Sequence, residues 1–510
     1  MTGGLYTCLD ITSGRFSVKH APLSFIDQAF LAFETEASPK HIAGLLVFKK
    51  PEGSGPGYTK SLYKEVLDDF GVTAPFSLKL GLSPRSGYCW KEDPDIEWKN
   101  HVFFHKLPAR ATREDLLDFV GELHTPLLDR SRPLWEAHFI DGVSGGHFGL
   151  YTKVHHAYGD GMSFTKLFSD GMAKRPGDKI SRVLWNTGKP FQYGKPENAR
   201  FGERLRSFLK TVGAPARAMI GLNRITLMLW MERLGFTKNA IAIPFTSARS
   251  PLTGQVTQGR QLACAAVSME RIAAVRRRTR STLNHVALTC VDGALRSYLK
   301  EIGADIDKPI SIQMPVNLRT KNDRPGGNKI GIVLVELSPK TEDPYVRLRE
   351  IGVTLRGVRH QVDTLPDTSI VAYGVLISTI AQIAESLGIS NWLPPLGNTL
   401  VSNVPGPTRT LYLRDAGLAE YYPISALPPG LKLNITLFSY AGQLNFGLIA
   451  SKDSMPDLHR LAEHIEMALT ELEEAIRSDP VKKNGSVSAK KKKAPTKKKV
   501  KRRSRKVTAN

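Results

Sequence analysis

The chain has 510 residues, of which 71 are Lys or Arg and 48 are Asp or Glu, a formal net charge of +23. Hydrophobic residues make up 41%, which excludes wholesale disorder, and the length sets an expectation of two to four domains. Fourteen basic and no acidic residues fall between Val481 and Asn510, so the body keeps 57 basic and 48 acidic residues, a net of +9, and is not obviously that of a nucleic-acid-binding protein.

Met1 to Lys19 lacks the apolar core of a secretory signal. No stretch reaches ~18 apolar residues without a charge, so no transmembrane helix is expected and any membrane association is peripheral. Cys8, Cys89, Cys264 and Cys290 form no CxxC pair and no zinc-spaced cluster; free thiols in a reducing cytoplasm are expected.

Residues 1–185 read as mixed α/β. Phe25, Ala29, Phe30 and Phe33 give Ser24 to Glu34 a helical period. His41 to Phe48 is strand-like and runs into Pro51, Gly53 and Gly55. Arg113 to His124 carries Leu116, Leu117, Val120 and Leu123 on one helical face. Leu134 to Ile140 and Gly146 to His156 read as strands, and Met162 to Lys174 as a helix. Residues 186–255 form a linker whose Ala216 to Phe236 has the pattern of an amphipathic helix, either packed on the lobes or lying on lipid. A second α/β unit spans 256–480. Its helices are Met269 to Arg280, Asn284 to Ile302, Asp343 to Val362 and Pro456 to Arg477. Its strands are Ile310 to Asn317 and Ile330 to Leu337, with a hairpin of Leu431 to Tyr440 and Leu444 to Ala450. Residues 481–510 are a Lys/Arg-rich tail, disordered on composition.

The feature that carries chemistry is His155-His156-Ala157-Tyr158-Gly159-Asp160-Gly161. Its four specified positions arise by chance with odds on the order of one in a thousand. Strand alternation puts His156 on the same side as Phe148, Leu150 and Val154, facing inward, and His155 on the other. Gly159 and Gly161 allow a sharp turn before the next helix. A histidine at a strand end in a buried cleft suits a general base, because imidazole exchanges a proton near neutral pH. Asp160 is expected to shape the turn or to hold the site by a buried ion pair. Three readings stay open from these residues alone: a catalytic base, a pair of core histidines, or a metal site. Adjacent histidines on opposite faces make a poor bidentate metal ligand, and no carboxylate or thiol cluster completes a site. No GxSxG elbow, Walker loop or GxGxxG follows a strand.

The segment and its flanks resemble the bacterial wax ester synthase/acyl-CoA:diacylglycerol acyltransferase family over about residues 22–478. The likeness runs through Pro22 to Asp27, Phe30-Leu31 with Glu34, His41 to Leu45, Trp90 to Asp95 and Pro126 to Glu136, which contains the Pro133-Leu134-Trp135 motif. It continues through Pro315 to Arg319, Gly327-Asn328, Asp343-Pro344, Ser402 to Pro407 and Asn434-Ile435-Thr436. Two positions depart from the family pattern. Asn284-His285 stands where the family has Asn-Asp, and Leu252-Thr253-Gly254 where it has Leu-Asn-Gly.

The resemblance implies an α/β, two-lobed fold like chloramphenicol acetyltransferase, with mixed sheets and a central tunnel. It implies acyl transfer from acyl-CoA, a substrate, to diacylglycerol or a long-chain fatty alcohol, with no metal or prosthetic group. His156 would be the base, with His155, Asp160 and Gly161 completing the catalytic motif. Pro133, Leu134, Trp135, Asn284 and Asn434 would support it. Asn434 and the backbone after His156 are candidates to hold the tetrahedral oxyanion. The enzyme is expected in the cytoplasm, peripherally on the inner membrane face or on lipid inclusions.

Two other readings compete. The histidine motif is shared with peptide-synthetase condensation enzymes, which take another acceptor, but the flanking motifs follow the ester-forming family. The tail also permits an inactive adaptor on anionic membrane or nucleic acid. It has no aromatic residue to stack on bases.

Overall fold

The computed structural model of the protein describes residues 7–9, 16–18, 21–23, 25–69, 71–83, 87–178, 182–186, 241–304, 307–317, 330–339 and 341–478. The expected amphipathic helix at 216–236 and the basic tail lie outside the described residues.

Among the described residues the chain forms two six-stranded sheets. The first has the order Tyr412–Leu413, Ala416–Ile424, His41–Lys49, His147–His155, Trp135–Val143, Val102–Ala111. The second has the order Arg260–Ser268, Gln443–Ser451, Leu433–Tyr440, Thr399–Pro405, Ser311–Asn317, Ile330–Glu336. Both are mixed. In the first, Val102–Ala111 runs parallel to Trp135–Val143. In the second, Thr399–Pro405 runs parallel to both neighbours.

The apolar faces of these strands fill the cores. Leu46, Phe48, Phe139 and Phe148 are buried in the first lobe, and Leu433, Ile435, Leu437, Phe446 and Leu448 in the second. The helices Leu283–Glu301 and Leu458–Ser478 pack on each other against the second sheet. Leu461, Ile465, Leu469 and Leu472 recur at helical spacing and are fully buried there. The hairpin expected from the sequence is present. Its two-residue turn is Ala441 and Gly442, both at positive φ, 44° and 86°, which matches the twist of the strands it joins.

The segment 256–480 does not build the second lobe alone. Ala416–Ile424 crosses over and pairs antiparallel with His41–Lys49, so the later part of the chain completes the first sheet. The two sheets touch at this crossover. A Cβ on Gly447 of the second sheet would lie 1.8 Å from the Pro423 carbonyl oxygen of the first, so only glycine allows the approach. A cleft is left between the sheets beside that contact.

One helix, Asp367–Ser386, contains a window, Ser369–Ser386, with the length and mean hydropathy (1.3) of a membrane span, yet half of it is buried inside the protein. It packs against the edge strand Ile330–Glu336 and walls the cleft.

Candidate active site

Between the two sheets lies a cavity of about 600 Å³. From the first lobe Thr152, Val154 and His156 reach its wall, at alternate positions as strand geometry requires. From the second lobe Asn434, Thr436 and Phe438 do the same on Leu433–Tyr440. Val371, Gly374, Val375, Ser378 and Gln382 of the helix Asp367–Ser386 form one side. Most of the remaining lining is apolar, including Phe30, Ile332, Leu400 and Val404.

The strand bearing the histidine pair ends at His155, one residue earlier than expected, and His156 opens a single 3₁₀ turn to Tyr158. Its N–H donates to the Lys40 carbonyl (2.9 Å), which anchors the turn to the neighbouring strand. The His156 ring stacks on Phe30, with centroids 4.5 Å apart. Burial pulls its pKa from 6.5 down to about 4, against the hydrogen bond to its own backbone and the attraction of Asp160. At neutral pH the imidazole is therefore unprotonated and able to accept a proton.

His155 points away from the cavity and is fully buried. Its Nδ1 accepts the Ala157 N–H (3.1 Å), which fixes the ring proton on Nε2, 3.4 Å from Glu34 Oε1. Burial raises the Glu34 carboxyl, but His155, the Lys40 N–H (3.0 Å) and Arg130 (3.0 Å) outweigh it and hold the pKa at about 2. Glu34 is thus an ionised group beneath the histidine turn. Asp160 is the N-cap of the helix Gly161–Gly171 and accepts from Ser163 N–H (2.9 Å) and Ser163 Oγ (2.8 Å). This is the geometry of a helix cap, and Asp160 also lines the cavity. Gly161 begins that helix and lines the cavity.

Pro133-Leu134-Trp135 stands behind the turn rather than in the cavity. The Leu134 N–H donates to Tyr158 Oη (2.9 Å), and the Leu134 carbonyl accepts from His155 N–H (3.0 Å). Trp135 is buried; it donates to the Phe76 carbonyl (2.9 Å) and stacks on Trp185. Asn284 accepts from Asn403 (2.7 Å), a cavity-lining residue. His285 fills the position next to it without loss of the helix start. Its Nδ1 accepts from Thr282 N–H (3.4 Å), and its own N–H donates to Thr282 Oγ1 (3.3 Å), a reciprocal cap. At the second departure Thr253 bonds back to Ser250, and Gly254 sits at φ 121° with its N–H on the Gly430 carbonyl (3.0 Å).

Each oxyanion candidate read from the sequence makes a hydrogen bond within the protein, which for Asn434 takes one of its two amide N–H donors. The Ala157 N–H is taken by His155. Asn434 Nδ2 donates to the Ala426 carbonyl (2.6 Å) and so ties down the cavity-lining segment 425–429.

Neither the pairing of Glu34 with His155 nor the place of Lys40 at the cavity is visible in the sequence. Lys40 is buried at the cavity wall and donates to Ser38 Oγ (2.7 Å). Burial brings its ammonium down to about 8, opposed by Glu385 and Glu34. Glu34 lies in the non-helical stretch that follows the helix Phe25–Ala32, where no period marks it. Lys40 gave no signal beyond its adjacency to His41. Among the described residues no group of three or more metal-ligating side chains converges.

A two-lobed α/β body with a histidine turn on a buried interlobe cavity defines a class, the acyltransferases of the chloramphenicol acetyltransferase-like fold. Solved structures agree. The wax ester synthase/diacylglycerol acyltransferase of Marinobacter aquaeolei VT8 superimposes with a TM-score of 0.70 at 28% identity, covering 90% of this chain and all of that one. The first condensation domain of the CDA synthetase shares the fold alone, at a TM-score of 0.56 and 14% identity, covering 91% of this chain and 97% of that one. The wax ester synthase/diacylglycerol acyltransferase catalytic domain matches residues 23–287, and the C-terminal domain of that family matches 326–473. The chain belongs to the wax ester synthase/diacylglycerol acyltransferase family and is an acyltransferase. A Mycobacterium bovis protein named a diacylglycerol O-acyltransferase is 35% identical over 456 residues, 88% of this chain and 98% of the relative. A Mycobacterium tuberculosis protein of the same name is 33% identical over 457 residues, 89% and 100%.

Proposed function

We propose that the enzyme transfers a fatty acyl group from acyl-CoA to the hydroxyl of diacylglycerol or a long-chain alcohol, with His156 as general base. The observation that carries this reading is the desolvated, unprotonated His156 ring on the wall of an apolar cavity large enough for acyl chains. The acceptor hydroxyl gives its proton to His156 as its oxygen attacks the thioester carbonyl. The tetrahedral intermediate then collapses, the carbon–sulfur bond breaks, and His156 returns the proton to the departing thiolate. Net, one ester forms and free coenzyme A leaves; no oxidant, metal or prosthetic group enters the balance.

Glu34 and His155 act through the backbone. The ionised carboxylate holds the His155 tautomer, and His155 Nδ1 holds the Ala157 N–H, which fixes the turn that presents His156. Asp160, Gly161 and the Pro133-Leu134-Trp135 brace set the start of the following helix and the back of the turn. Work at a membrane or lipid-inclusion surface on the cytoplasmic side is the corollary of a water-insoluble acceptor.

The test is His156→Ala in purified full-length protein, with palmitoyl-CoA and both acceptors in competition. Transfer to either acceptor should fall by about 10²–10⁴ with an unchanged circular dichroism spectrum. Near-normal transfer would remove His156 from the chemistry. In the intact enzyme, kcat/KM should fall as pH drops toward about 4, where His156 takes up a proton.

A further inference from the structure

The helix Asp367–Ser386 has three faces, and the proposed reaction uses only two of them. Ile370, Tyr373, Ile377 and Ala381 are buried in the second core. Val371, Val375, Ser378 and Gln382 line the cavity. The third face is apolar and exposed: Leu376, Ile380, Ile383 and Leu387 follow at spacings of four, three and four, and Leu387 is 66% exposed. This stripe continues past the helix into Ile389, Trp392 and Leu393, also exposed. Trp392 is 80% exposed, whereas Trp90, Trp135 and Trp185 are almost wholly buried.

A large apolar patch left in water marks a contact surface. Its composition points to the kind of contact. From Thr368 to Thr408 the one charged residue is Glu385. That carboxylate is turned inward, where it accepts from Val256 N–H (2.9 Å), Ser390 Oγ (2.9 Å) and Gly430 N–H (3.1 Å). The exposed stripe therefore carries no charged side chain of its own. An exposed tryptophan at the end of an apolar helix has the amphipathic character of a lipid headgroup anchor. Arg249, exposed, donates to the Trp392 carbonyl and sets a cation beside the patch, as lipid phosphate groups would require.

Position adds the functional link. Thr379 lines the cavity, and its helical neighbours three residues before and four after are Leu376 and Ile383 of the exposed stripe. The cavity wall and the exposed patch are therefore adjoining surfaces of one helix.

We infer that the exposed face of Asp367–Ser386, together with Leu387 to Leu393, docks on a phospholipid surface and places the cavity mouth where a dissolved lipid acceptor enters without crossing water. The inference rests on the acceptor assignment made above, and its test separates the two. Full-length protein and the triple variant Ile383→Ser/Leu387→Ser/Trp392→Ser are mixed with vesicles of dioleoylphosphatidylcholine containing dioleoylglycerol. These carry no net charge, so a basic tail gains little from them.

The variant should partition onto the vesicles at least tenfold more weakly. Its acyl transfer to vesicle dioleoylglycerol should fall in parallel, while transfer to dissolved butanol stays as in the wild type. Unchanged partition in the variant overturns the docking surface. So does a wild-type dimer on size exclusion that the variant dissolves without losing vesicle binding, because the patch then joins two copies of the chain. If the wild type acylates neither alcohol, the acceptor assignment fails while vesicle partition still decides the docking surface.

Discussion

The first lobe brings titratable groups to the cavity: His156 and Lys40, with Glu34 and His155 just beneath. The second lobe brings walls: Gln313, Asn434, Thr436 and the apolar helix Asp367–Ser386. Their buried charges differ in the same sense. In the first lobe burial keeps imidazoles unprotonated. His41 and His124 are pushed well below 6.5, and His105 and His156 to about 4. In the second lobe the conspicuous buried charge is a fixed ion cluster away from the cavity. Asp292 Oδ2 meets Arg296 Nε (3.2 Å), Arg347 Nε (3.1 Å) and Ser338 Oγ (3.2 Å). Burial raises the Asp292 carboxyl against the attraction of Arg296 and Arg347, and it lowers His285 of the same lobe. Under the proposed reaction the histidine that exchanges a proton belongs to the first lobe, while the second supplies cavity walls and the ion cluster.

Removing the ion cluster gives the strongest test of that division. Asp292→Ala strands two guanidinium groups in the second core and should cost about 3–5 kcal/mol of stability, read from urea unfolding. The rate per folded molecule should stay as in the wild type; a large fall in kcat at low urea would show that the second lobe takes part in the chemistry.

Acid should strike the first lobe. Six of its histidines, His41, His101, His105, His124, His138 and His156, have folded pKa values below the unfolded value of about 6.5. Between pH 6.5 and about 4 the unfolded chain therefore binds protons that the folded chain refuses, and stability falls as pH falls through that window. Above pH 6.5 these groups contribute no slope. Calorimetry should show a melting temperature lower by on the order of 5 °C at pH 5 than at pH 7.5. A flat profile would mean that the imidazoles titrate alike in both states.

Glu34→Gln keeps the shape beneath His155 and removes the charge. Because Glu34 does not line the cavity, kcat should drop about tenfold, the order seen for groups that orient an active residue, with KM for acyl-CoA held within about twofold. A KM effect without a kcat effect would make Glu34 a substrate contact instead of a positioning residue.

The smallest effect is expected at Asp160. Loss of the N-cap in Asp160→Ala should lower stability by about 1 kcal/mol, with activity falling in step. Lost activity at an unchanged melting temperature would move Asp160 into direct chemistry.

Much of the architecture was legible where a period is clean. The helices Arg113–His124 and Leu283–Glu301, and the hairpin around Ala441-Gly442, lie within a residue or two of their expected bounds. These are amphipathic elements, in which one face meets the core and the other water. The stretch 367–424 was not assigned elements, because its periods are blurred. Asp367–Ser386 is apolar on its core and solvent faces and mixed on its cavity face, so no single polar stripe marks a helix. Ala416–Ile424 carries two tyrosines and a proline and pairs with a strand almost four hundred positions earlier, a partner that no local window contains.

The sequence by itself determined the histidine turn, the side of the strand from which His156 projects, and the family, because these depend on residue type and on spacings of a few positions. Tertiary structure alone decided what surrounds that turn. It brought Glu34 under His155, engaged the Ala157 N–H and the Asn434 amide, carried Ala416–Ile424 across to the first sheet, and left one face of Asp367–Ser386 in water beside the cavity. The Glu34–His155 contact and the pairing of Ala416–Ile424 with His41–Lys49 join residues distant along the chain, a packing constraint that no short window of sequence carries.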